Sequence, residues 1–107
     1  MKIFIPVLIT ALGLMMTLST LSLAAETGAD QFKSKCAMCH GPDGKGDTAI
    51  GKNLKVRDLG SAEVQAQSDT GLSGIITNGK GKMPKYDGKL TKDQINDLVK
   101  FVRSLKK

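Results

Sequence analysis

Apolar residues fill the first stretch of this chain almost without interruption, from Ile3 to Leu23, and afterwards recur only in short periodic groups. The opening run is relieved by Pro6, Gly13 and a few hydroxyls, is preceded by Met1-Lys2, and meets no acidic residue before Glu26. It closes on Ser22-Leu23-Ala24-Ala25, where Ser22 and Ala24 are the small residues of a signal-peptidase site. The pattern predicts a cleavable signal peptide over 1–24, cut after Ala24 or Ala25, followed by one domain over 25–107. An uncleaved anchor competes, since Ile3 to Ala25 is long enough to cross a bilayer. Against it stand the single Lys2, the small-residue ending and the lack of a basic stop-transfer cluster. Either reading puts the domain outside the cytoplasm.

Beyond the leader the periodicity is helical. The clearest helix follows the capping box Thr91-Lys92-Asp93-Gln94, with Ile95, Leu98, Val99, Val102 and Leu105 forming one apolar stripe. An earlier helix is expected from an N-cap at Asp69, through Leu72, Ile75 and Ile76, to Asn78-Gly79. A first helix spans roughly Thr27 to Lys35, and a short helical turn lies near Ser61 to Ala66. Pro42, Gly44 and Gly46 predict an irregular loop from Gly41 to Gly51. Nothing reads as a strand, so the fold class is all-α.

Composition adds a difficulty. The expected mature chain has only Phe32, Tyr86 and Phe101 as aromatics and no Trp. At that length a hydrophobic core alone is marginal, so a disulfide, a metal or a large apolar cofactor is called for. The net charge is +6, one less once Lys2 is removed. An exported basic domain rarely meets nucleic acid, which points instead to an acidic protein partner or an anionic surface.

The chemistry is concentrated in one place: Cys36-Ala37-Met38-Cys39-His40. This is the C-x-x-C-H pattern of c-type haem attachment. Two thiols three residues apart can each add to a vinyl group on one porphyrin edge, and the next side chain then swings under the iron. A Cys36–Cys39 disulfide would close too small a loop to constrain the unfolded chain. A thioredoxin-like pair wants a βαβ context, and a structural zinc site wants four ligands where these three residues stand alone. One covalent haem c, held by Cys36 and Cys39 with His40 as axial ligand, is therefore expected.

The second axial ligand follows by elimination. There is no other His; Met1, Met15 and Met16 lie in the leader, and Met38 lies within the attachment loop. Met83 remains, in Gly79-Lys80-Gly81-Lys82-Met83-Pro84, where two glycines let backbone approach the ring. As a gap-filling core residue it would be oddly placed in so polar a loop, whereas His/Met is an established cytochrome pairing.

On these residues the chain resembles a small soluble monohaem cytochrome c of class I, over essentially the whole of the expected domain. The resemblance rests on Cys36-Ala37-Met38-Cys39-His40 and on Met83-Pro84, with Gly28 and Phe32 preceding Cys36 by eight and four residues. It implies a class I fold of about four helices wrapped around one haem, the first and last helices crossing through Gly28, Phe32, Leu98 and Phe101. It also implies that Leu54 packs on the haem face. Two departures stand out. The position where relatives carry Pro, whose carbonyl accepts the imidazole N–H, is Lys52 here, and the Trp that bonds a propionate is missing.

Six-coordinate His40/Met83 iron leaves no site for substrate, so the expected function is one-electron transfer in the periplasm, not enzymatic turnover. Lys80, Lys82, Lys85 and Lys89 surround Met83 and are expected to steer the protein, as a monomer, to acidic redox partners, meeting membranes only through their complexes. A ligand-binding haem enzyme or gas sensor, with an opening Met83 bond, and a tethered oxidase subunit are the alternatives.

Overall fold

The computed structural model describes residues 27–107, so the expected leader lies outside the described residues. Those residues are helical: α1 Gly28–Lys35, α2 Ala37–His40, α3 Ala49–Leu54, α4 Ala62–Gln65, α5 Asp69–Asn78 and α6 Lys92–Ser104. Extended pairing among them is limited to isolated bridges, Lys80 with Met83 and Asp87 with Leu90.

Side-chain caps fix where most of these helices begin. The Thr91 hydroxyl accepts the Gln94 N–H at 3.1 Å, while the Gln94 carboxamide accepts the Thr91 N–H at 2.8 Å. The same reciprocal box starts α1, between Thr27 and Asp30. Ser61 caps α4. The N-cap of α5 is Ser68 and not Asp69: the Ser68 hydroxyl accepts the Gly71 N–H at 3.0 Å, and Asp69 becomes the first helical residue. There its carboxylate suits the positive end of the helix dipole.

The four expected segments are present, with two short ones in addition. α2 is the attachment motif itself, and α3 begins inside the stretch expected to be irregular. Thr48 caps α3 by accepting the Gly51 N–H at 2.9 Å, overriding the poor helix propensity of Gly51.

α1 and α6 pack against each other. A Cβ on Gly28 would collide with the Asp97 carbonyl, so glycine is what permits the approach. Phe32 fills the space beside it, its ring 4.7 Å from that of Phe101. Around this crossing lie two small clusters of buried residues, Phe32, Leu90, Ile95 and Leu98 in one and Val64, Leu72, Val99 and Val102 in the other. The α6 stripe thus supplies half of each cluster.

Candidate haem site

The attachment motif lies where α1 hands over to α2. The Cys36 N–H donates to the Phe32 carbonyl at 2.9 Å, ending α1. The Cys36 carbonyl then accepts from Cys39 N–H at 3.2 Å and His40 N–H at 3.0 Å, starting α2. Cys36, Cys39 and His40 therefore leave a single turn of backbone. Both cysteines are free thiols and half-buried. Burial pushes the Cys36 thiol up to about 11, opposed by Lys35 and reinforced by Cys39. Met38, between them, is 73% exposed.

Neighbouring backbone holds this turn in place. The Thr48 hydroxyl shares its proton between the carbonyls of Met38 at 2.9 Å and Cys39 at 3.2 Å. The Gly46 N–H donates to the His40 carbonyl at 2.7 Å. α3 lies so close that a Cβ on Gly51 would overlap the Cys39 carbonyl. Leu54, the residue expected on the haem face, ends α3 and is half-buried.

His40 is half-buried, with its ring 6.3 Å from that of Phe32. Burial lowers its pKa below the ordinary value and favours the neutral, ligating form. Its Nδ1 is sealed from solvent and has no hydrogen-bond partner. The imidazole makes no bond to the carbonyl of Lys52, the residue that stands at the Pro position. Lys55 turns left-handed at φ 56, ψ 42, and its N–H takes the Lys52 carbonyl at 3.2 Å.

Met83 lies on a separate loop. Lys80 N–H donates to the Met83 carbonyl at 3.2 Å and Met83 N–H to the Lys80 carbonyl at 3.0 Å, closing a tight turn. Gly79 enters that turn at φ 74, and a Cβ there would lie 2.6 Å from the Met83 carbonyl oxygen. The Met83 side chain is half-buried, while Lys80, Lys82, Lys85 and Lys89 are all exposed. Just beyond, the Tyr86 hydroxyl donates to the Lys35 carbonyl at 3.0 Å, tying this loop to the residue before Cys36. Burial, with help from Cys36 and Cys39, raises the Tyr86 pKa. Thr48 and Tyr86 are the two site residues that sequence reasoning missed.

The donor set fits a haem: two thiols, an imidazole nitrogen and a thioether sulfur. Leu54, Ile75 and Met83 also stay half-buried outside both core clusters, as apolar residues do when a further apolar surface covers them. No three His, Cys, Asp or Glu side chains among the described residues group as a zinc site would require.

Comparison with known proteins agrees. The family model described as cytochrome c oxidase, cbb3-type, subunit III, matches residues 23–102. The chain belongs to this cytochrome c family, as a small monohaem protein of class I. It is 35% identical over 103 residues to cytochrome c6 of Nostoc sp. strain PCC 7120, covering 94% of this chain and 90% of that one. It is 39% identical to the cbb3-type oxidase subunit CcoP of Rubrivivax gelatinosus over 85 residues, 78% of this chain but 26% of that protein. Among solved structures, the KustC0563 c-type cytochrome superposes with a TM-score of 0.71 at 34% identity, covering 77% of this chain and all of that one. The protein therefore carries a covalently bound haem c and transfers electrons between redox partners; it is a carrier and not an enzyme.

Proposed function

We propose that this protein is an exported one-electron shuttle whose haem is bonded through Cys36 and Cys39 and ligated by His40 and Met83. The observation that carries the reading is the emergence of both thiols and the imidazole from one backbone turn. Bound there, the haem supplies a ferric/ferrous couple. His40 and Met83 would both ligate its iron, leaving no position open to substrate, and the thioether of Met83 would favour the reduced state. Leu54 shields one face from water. Residues 1–24 direct export and are removed, leaving residues 25–107 in the periplasm as a soluble monomer. Exposed Lys80, Lys82, Lys85 and Lys89 form the docking face for an acidic partner.

The test is a reduced-minus-oxidised spectrum of the exported holoprotein beside that of Met83→Ala. Loss of the ferric methionine–iron charge-transfer band in the variant is expected. An unchanged ferric spectrum removes Met83 from the site.

A second reading is favoured by the match to an oxidase subunit: a cytochrome held at a membrane complex by its retained N-terminal segment. Intact mass separates the two, since retention of residues 1–24 supports the tether and their loss supports the free shuttle.

A further inference from the structure

Tyr86 belongs to neither ligand set, yet it is held at more points than any other residue of the Met83 loop. Its N–H donates to the Ile76 carbonyl at 3.1 Å, and its carbonyl accepts from Lys89 N–H and Leu90 N–H, each at 3.0 Å. Its ring packs against the Phe32, Leu90, Ile95 and Leu98 cluster. Its hydroxyl reaches across 51 positions of sequence to the Lys35 carbonyl at 3.0 Å. The segment it anchors is far less secured. From Gly79 to Pro84 the backbone makes one bond into α5, from Gly79 N–H to the Ile75 carbonyl, and otherwise bonds only within its own turn. Lys80, Gly81, Lys82 and Pro84 are exposed. Gly81, at φ 57, has no atom near its would-be side chain. Such a segment opens more easily than the helices around it unless something outside it sets its position.

Resting on the reading of Met83 as a ligand, we infer that Tyr86 is the positioning residue of that ligand. Its hydroxyl latches the Met83 loop to the backbone bearing Cys36, so that the two sides of the haem site are held at a fixed spacing. Lys35 O is one residue from the first attachment cysteine, and Tyr86 is three residues from Met83. The latch thus joins the two sides of the site within a few residues of Cys36 and of Met83. Removing the hydroxyl while keeping the ring leaves the core cluster packed but frees the loop to lift.

The experiment compares wild-type and Tyr86→Phe holoproteins in their rate of binding imidazole, which reaches ferric iron only when Met83 has left. Opening should rise about fivefold in the variant, the factor expected for one hydrogen bond of ordinary net worth. Helix unfolding followed by circular dichroism should move little, and amide exchange at Lys80 and Met83 should quicken while that of α6 does not. An unchanged imidazole rate overturns the latch. So does a fall in helix stability that accounts for the whole rate increase, since Tyr86 would then be a packing residue only. Met83→Ala keeps this distinct from the ligand assignment: if its ferric spectrum matches wild type, the ligand reading fails, whereas a lost charge-transfer band with an unaltered Tyr86→Phe rate rejects the latch alone.

Discussion

Gly28 lets α1 meet the backbone of α6 with no side chain between them. Any larger residue there drives a carbon into the Asp97 carbonyl, and the backbone of α6 cannot yield without disturbing Leu98 and its cluster. Gly28→Val is expected to lower unfolding free energy by about 1–3 kcal/mol, as overpacking does in a filled interior, measurable by denaturant titration. This contact was legible only through the resemblance to class I cytochromes c, which implies that the first and last helices cross at Gly28 and Phe32. The attachment motif was legible in itself, because its chemistry requires adjacent residues. Thr48 and Tyr86 were not. A threonine that caps a helix while bonding carbonyls nine and ten positions back looks like any loop threonine. A phenol whose acceptor is a backbone carbonyl 51 positions away carries no pattern at all.

At the scale of elements, local signals located most helices and long-range contacts decided the rest. The α6 box and stripe predicted its start and buried face. α3 escaped notice because Gly51 argues against a helix, yet only glycine fits beneath the Cys39 carbonyl. The α4–α5 junction is held by a residue from α6. Arg103 donates through Nε to Asp69 at 2.8 Å and through a terminal nitrogen to the Gln65 carbonyl at 2.8 Å, and it also bonds the Gln67 carbonyl. Gln65 in turn donates to the Leu59 and Val102 carbonyls at 2.8 and 2.9 Å. This one guanidinium satisfies carbonyls at the C-terminal end of α4 and the acidic start of α5 together. Arg103→Ala should cost about 2 kcal/mol, the range for hydrogen bonds from a charged donor, with the haem spectrum unaltered. Equilibrium unfolding of purified holoprotein checks both halves of that expectation.

Across the whole molecule, a net charge of +6, one less without Lys2, and four exposed lysines around the Met83 turn predict association governed by long-range attraction. Electron transfer to the physiological partner should slow as ionic strength rises, and replacing Lys80, Lys82, Lys85 and Lys89 by Gln should flatten that dependence. Stopped-flow rates over a salt series measure it. The shortfall in core residues, evident from composition, shows in the fold as two clusters of four buried hydrophobics each, with half-buried neighbours packed against them. Charge and composition predicted the partner class and the need for a cofactor; the division of the core could come only from the packing. The solvent-facing thioether of Met38 carries a separate liability, because it stands beside a redox centre with 73% of its surface open. Peroxide should convert it to the sulfoxide well before Met83, which is half-buried. Peptide mass spectrometry would find the added oxygen first in the fragment holding Cys36 to His40, making this residue a chemical record of oxidative exposure.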